Sequence, residues 1–224
     1  MSIKIENVDV HGFEASIRGM RSPMNSWDKS DSEFDYPDCF SCLHNIDDEI
    51  SCELWDCTVL GKNDLALMKN LSNAGTDHSK YLRFITVTAD ITAPIYFWKQ
   101  FDQYKVGTVT NSTSTMHKIH AKEFTLDDFS HEHLDYISLG YLYKLIDHLN
   151  YVREDYIETK SKDKWWQMIQ LLPSSYNQKR TVLLNYQVLK NMYHARKSHK
   201  LDEWLDFCRW CESLPYFKEI CVEV

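Results

Sequence analysis

The sequence predicts one domain of mixed strands and helices, with helices dominating. Three observations carry this. Residues 2–10 (SIKIENVDV) and 83–91 (RFITVTADI) alternate apolar and polar side chains, the period of strands with one buried face. Much of the second half instead spaces its apolar residues three and four apart, as a helix with one buried stripe does. Only 6 glycines and 5 prolines interrupt 224 residues, of which 43% are apolar and 13% aromatic. Such a chain can bury a sizeable core as one domain, residues 1–224, with an insertion.

In chain order, the strand at 2–10 comes first. Residues of about 22–60 are turn-rich, acidic and cysteine-bearing, and read as a long loop or small insertion. Asn63 then caps a helix over NDLALMKNLSNA, and Gly75 stops it. The strand at 83–91 leads into a short helix from Ala93 to Gln103, begun by Pro94. Helical patterns follow over 134–158 and 161–171, the second halted by Pro173. Ser174 or Ser175 opens a further helix through about 196, and a last one spans about 202–213.

The net charge of −8 argues against a general nucleic-acid surface. No stretch is apolar for 18 residues and the N-terminus has no apolar signal core, so a cytoplasmic protein is expected, with no membrane partner. Seven cysteines then call for a reason in a reducing compartment. Cys39, Cys42, Cys52 and Cys57 form a C-x2-C-x9-C-x4-C pattern. Four thiolates there could hold a structural zinc, or could pack an insertion as reduced thiols. Cys208 and Cys211, at i, i+3, read as core residues. Trp165 and Trp166 could stack a base, but large aromatics usually fill cores. His117 and His120, at i, i+3, and His131 and His133, at i, i+2, are pairs a metal could use, but no HExxH-type pattern accompanies them and i, i+2 histidines in a loop mostly face solvent.

Two polar features suggest a site. From Thr108 to Thr115 the chain carries six hydroxyls with almost nothing apolar between them, after Gly107, which permits an unusual turn and a close approach. Neighbouring Phe97, Trp98, Phe101 and Tyr104 favour a buried position over an ordinary hydrophilic loop; such a stretch suits a lining around a neutral or mildly anionic polar ligand, and equally a subunit contact threaded with hydrogen bonds. Asn185, Leu189, Met192 and Arg196 share one helical stripe, which suggests a polar site at one end of an apolar face. An Arg at a helix C-terminus also simply complements the macrodipole.

The order of these parts resembles the flavin-dependent thymidylate synthases. Residues 78–116, HSKYLRFITVTADITAPIYFWKQFDQYKVGTVTNSTSTM, are similar without a gap to that family's central segment, with its Gln-Trp-x-Arg-His-Arg-x-x-Ser-x-Asn-Glu-x-Ser-x-Arg-Tyr motif. Residues 171–204 resemble its Leu-Pro motif and Asn-bearing helix. The resemblance implies an α/β fold with a small antiparallel sheet and long helices, a homotetramer, and FAD and nucleotide sites where subunits meet. In the family, reduced flavin relays a methylene group from folate to a uracil nucleotide and then reduces it. By resemblance, Gln100, Thr113 and Arg196 would contact the nucleotide, and Asn185, Asn191 and Lys105 the flavin.

The reactive positions are rewritten. Gln103, Tyr104 and Lys105 stand at Arg-His-Arg, Thr108 at the first Ser, Thr110 at the Asn and Asn111 at the Glu. Thr113 stands at the Ser near the substrate phosphate, and Thr115 and Met116 at Arg-Tyr. Gln187 replaces another Arg, and Lys200 a His. Gln and Thr supply no charge, and Lys grips phosphate less well than a bidentate Arg. Lys80, Lys105, Arg83 and Lys200 are the candidate replacement cations. Two functions remain open: a diverged enzyme performing FAD-assisted methyl transfer or a related nucleotide reaction, or a non-catalytic nucleotide-binding or structural protein on the same scaffold.

Overall fold

Alternation along TVTADITAP places Val87, Ala89, Ile91 and Ala93 on one fully buried face, and this segment is an inner strand of the sheet. The computed structural model describes residues 3–34 and 58–223, and its strands are β1 (Lys4–His11), β2 (Glu33–Phe34), β3 (Thr58–Val59), β4 (Thr86–Pro94), β5 (Val109–Ser112) and β6 (Asn177–Asn185). The α-helices are α1 (Phe13–Arg21), α2 (Lys62–Asn73), α3 (Ile95–Phe101), α4 (Tyr136–Thr159), α5 (Lys162–Leu171), α6 (Tyr186–Arg196) and α7 (Asp202–Ser213). Among the described residues, four strands form one sheet in the order β1-β4-β6-β5, and β2 pairs antiparallel with β3, Glu33 opposite Val59. No helix among them is long and apolar enough to cross a membrane.

The chain divides into two units. The first comprises the chain up to Glu6, Asp90–Gln103 and Thr110–Thr181; the second comprises the described residues of Asn7–Ala89, Tyr104–Val109 and everything from Val182 on. Each strand of the large sheet has residues in both.

In the first unit, Leu142, Ile146, Leu149 and Val152 of α4 recur at helical spacing and pack with Phe124, Phe129 and Met168. Asp135 caps α4, its side chain accepting from the Ser138 amide at 2.8 Å, and Lys160 ends it in the left-handed region. Trp165 packs against this core while its indole donates to the Met116 carbonyl at 2.8 Å. In the second unit, Phe13, Tyr186, Trp204, Phe207 and Phe217 are fully buried. Cys208 and Cys211 lie among them, as the spacing implied. Burial pushes the Cys208 thiol up to about 11 and that of Cys221 up to about 12.

Three expectations are corrected. The helix expected from 174 begins only at Tyr186, because 177–185 enter the sheet between β4 and β5, where tertiary pairing overrides helix propensity. Burial along β6 alternates at Val182 and Leu184, and Asn185 caps α6 by accepting from the Val188 amide at 3.0 Å. The strand expected at 83–91 starts at Thr86, since Arg83 ends a 3-10 turn, Ser79–Arg83. Asn63 is not the cap of α2. Gly61 holds that position, and the free amides of Asn63 and Asp64 donate instead to the Asp31 carboxylate at 2.9 and 3.0 Å. Gly75, at φ +103°, ends α2 as expected. The pattern of Cys39, Cys42, Cys52 and Cys57 lies outside the described residues, and among the described residues no group of three or more His, Cys, Asp or Glu side chains is arranged to hold a metal.

Candidate functional site

The second unit positions Arg196 at the last residue of α6. The stripe of the helix buries Leu189 and Met192 and carries the guanidinium to the helix end. There Arg196 Nε donates to the Tyr104 hydroxyl at 3.0 Å, and its guanidinium carbon lies 4.9 Å from the Trp204 ring centre and 5.6 Å from that of Tyr104. A guanidinium stacked on aromatic faces is oriented without being neutralised. No carboxylate pairs with Arg196 among the described residues. Burial, and the positive charge of Arg196, hold His199 below its ordinary pKa.

Tyr104 reaches Arg196 because the chain turns sharply after α3. Gly107 sits at φ +79°, and a Cβ there would meet Asn185 Nδ2 at 2.8 Å. The close approach expected of Gly107 is present, and its partner is the amide that caps α6. Asn185 Oδ1 is spent on the cap, and its Nδ2 has no hydrogen bond among the described residues. Asn191 is exposed; its Oδ1 accepts from Gln187 Nε2 at 3.2 Å, and its amide nitrogen has no hydrogen bond among the described residues. Lys105 is exposed beside Gly107 in sequence. An ammonium and two amide nitrogens are donors of the kind that flavin carbonyls and a pyrophosphate accept, so these residues fit FAD in chemistry.

Gln187 is a different case. It is 7% exposed, and its Oε1 accepts from the Ser79 hydroxyl at 2.7 Å. At the position where the resembling family carries an Arg, this chain has a closed internal amide network.

The first unit holds Gln100, half-buried in the last turn of α3, and Thr113, which follows β5. The Thr113 amide donates to the Lys179 carbonyl at 2.9 Å, and Gln178 Nε2 donates to the Thr113 carbonyl at 2.9 Å. Trp98 Nε1 donates to the Gln178 carbonyl at 2.9 Å, and Arg180 stacks on Trp98 at 4.3 Å. The two stretches that carry the resemblance, 78–116 and 171–204, are therefore bonded to each other inside this unit. They meet inside the second unit as well, through Tyr104 and Arg196 and through the Tyr186 amide, which donates to the Ile85 carbonyl at 3.0 Å.

The hydroxyl-rich stretch is not buried as expected. Val109–Ser112 form an edge strand with every residue exposed, because Phe97, Trp98 and Phe101 turn into the core and do not cover it. Beyond the strand, Thr113, Ser114 and Thr115 do line a cavity of about 500 Å³, together with Lys118, Tyr176 and Asn177. Sequence reasoning missed Lys118, Asn177 and the Trp204 face under Arg196. Lys118 and Lys122, four residues apart just after the hydroxyl run, were the available signal for a cation there. Of the cations named as replacements, Lys80 and Arg83 lie in the 3-10 turn and Lys200 is exposed near α7, all three outside this cavity.

No family model matches the chain, and no curated protein matches it by sequence. Solved structures do. A flavin-dependent thymidylate synthase, ThyX, from Helicobacter pylori, complexed with FAD and dUMP, is similar at a TM-score of 0.65 and 15% identity, over 100% of this chain and 99% of that one. A second structure of the Helicobacter pylori ThyX with FAD and dUMP gives 0.65 at 14% identity, over 100% and 98%. The likeness read in residues 78–116 and 171–204 thus extends over the whole length, and the chain has the fold of the flavin-dependent thymidylate synthases.

Proposed function

We propose that this chain binds FAD and a uracil nucleotide on a thymidylate synthase scaffold, and that FAD-assisted methyl transfer to that nucleotide, or a related nucleotide reaction, is what such binding serves. The observation that carries the reading is Arg196. A charged side chain held between Tyr104 and Trp204 with no carboxylate partner among the described residues is preorganised for an anion. Gln100 and Thr113 are candidate nucleotide contacts by the resemblance, as Asn185, Asn191 and Lys105 are for the flavin. The fold likeness supports it, since the similar structures are complexes with FAD and dUMP. Assembly as a homotetramer belongs to the same reading, and light scattering on the purified chain tests it.

A second reading, binding without turnover, is favoured by Gln187. Its amide is closed into a network with Ser79 and Asn191 and presents no charge where the family uses one. Calorimetry with FAD and dUMP tests binding, and formation of thymidylate from dUMP, methylene-folate and reduced FAD tests turnover. Dissociation constants near micromolar with product formed support the first reading. Binding without product selects the second, and absence of both ligands from the protein overturns the two together.

A further inference from the structure

Helix α4 has a second face. Leu142, Ile146, Leu149 and Val152 turn one side of it to the core of the first unit. On the opposite side Ile137, Gly140, Lys144, Asp147, Tyr151 and Glu154 recur at alternating steps of three and four, the spacing of a helix seam, and none of them is buried. Tyr136, Ile137, Tyr141 and Tyr151 are 91%, 67%, 69% and 61% exposed, and Tyr143 is 48% exposed. At about 150–250 Å² for a whole aromatic side chain, these five open roughly 500–800 Å², close to the area one partner gives to a stable interface. So large an apolar patch on one helix marks a contact surface.

Gly140 lies within this stripe. Glycine inside a helix is unfavourable relative to alanine, so it calls for a reason. A Cβ there would meet nothing within 4 Å, and a cavity of about 500 Å³ opens over it, walled by Tyr136, Ile137, Tyr141 and Tyr143. Such a notch admits an aromatic ring. One turn on, Lys144 and Asp147 have no ion-pair partner among the described residues; the Lys144 ammonium lies 5.6 Å from the Tyr141 ring centre.

We infer that this stripe pairs with the same stripe of a second copy, antiparallel about a two-fold axis between Leu145 and Ile146. That axis puts Tyr151 of each copy into the notch over the partner's Gly140, and Lys144 of each against the partner's Asp147. Ile137 meets the methylenes of the partner's Glu154 at each end. The largest side chain meets the smallest and each central charge meets its opposite, as a self-complementary interface requires. A parallel pairing would set lysine against lysine and aspartate against aspartate, which like-charge repulsion disfavours. The seam rests on the assembly part of the reading above and needs neither flavin nor nucleotide.

Sedimentation velocity on the full chain, over a range of concentrations, tests this. Lys144→Asp or Asp147→Lys alone is expected to weaken self-association at least about tenfold, since each puts two like-charge pairs in the seam. Lys144→Asp with Asp147→Lys exchanges the charges, restores both pairs and returns association to within about threefold of the wild type. Gly140→Gln fills the notch and weakens association at least about tenfold, while helix content by circular dichroism holds because glycine is the poorer helix former. Lys62→Asp, in α2, changes the charge equally and leaves association unchanged. The seam is overturned, with assembly intact, if the wild type associates and Lys144→Asp and Gly140→Gln associate as well as it does. It is also overturned if the charge exchange associates no better than either single change. A wild type that stays monomeric overturns the seam and the assembly together and leaves the stripe to a different protein. Calorimetry with FAD and dUMP on the same sample reports on the ligand reading separately.

Discussion

Asp64→Ala is expected to destabilise the chain by roughly 3–5 kcal/mol, the scale for breaking a buried ion pair. The Asp64 side chain is fully buried, and Arg21, 5% exposed, places both Nε and a terminal nitrogen 2.6 Å from its Oδ1. Oδ2 accepts from the hydroxyls of Ser30 and Ser32, each at 2.7 Å, and from the amides of Asp31 and Ser32 at 3.1 and 3.2 Å. Removing the carboxylate strands a buried guanidinium and frees the segment at 30–32, whose Asp31 in turn satisfies the first amides of α2. Thermal unfolding followed by circular dichroism should show a loss of about 6–20 °C, at about 2–4 °C per kcal/mol for a chain of this size. Replacing the pair together, Arg21→Met with Asp64→Leu, should recover about half or more, since no charge is then buried alone. Burial alone would raise the Asp64 pKa, but the hydrogen bonds from Ser32, Ser30, Arg21 and Asp31 outweigh it and hold the pKa low. A depressed folded value means the stabilisation is full above the unfolded pKa, near 4, and is lost as pH falls through the folded one. The difference between wild type and Asp64→Ala should therefore be constant from about pH 5 to 8 and shrink in acid. A destabilisation under about 1 kcal/mol, or a difference that grows in acid, would refute this account of Asp64.

Three further outcomes are expected. Gly107→Ala should destabilise by about 1–2 kcal/mol in urea unfolding, since φ is +79° and the new methyl would meet Asn185 Nδ2 at 2.8 Å; FAD affinity should fall with it. Cys208 and Cys221, with pKa values raised to about 11 and about 12, should resist alkylation by iodoacetamide at pH 8 in the native protein, and react once it is unfolded in urea. Arg196→Met should weaken dUMP binding at least about tenfold while changing stability by no more than about 2 kcal/mol, because its structural partners are aromatic faces and one hydroxyl.

The long helices were legible because their signals are local. The apolar spacing from Leu142 to Val152 and Pro173 after Leu171 each act within a few residues. The α7 bounds, 202–213, came out unchanged for the same reason. β6 was not legible, since NQKRTVLLN becomes a strand only through β4 and β5, which lie far away in sequence. The cap on α2 was missed in the same way: Asp31 supplies it from more than thirty residues upstream. At the site, the rewritten positions could be read off the chain one by one. Which of them do internal work could not: Gln187 closes on Ser79 across 108 residues, and Arg196 on Tyr104 across 92. The aromatic cluster suggested that the hydroxyl run was covered, but those rings pack inward and the edge strand stays open.

The claim at the centre is that this scaffold still holds a flavin with a nucleotide. Titration of the purified chain with FAD, followed by flavin fluorescence and repeated with Arg196→Met and in the presence of dUMP, tests it most directly. Saturable binding near micromolar, with dUMP binding alongside the flavin and lost with Arg196, is the expected result. A flavin signal that never saturates, and that neither dUMP nor the substitution alters, would contradict it.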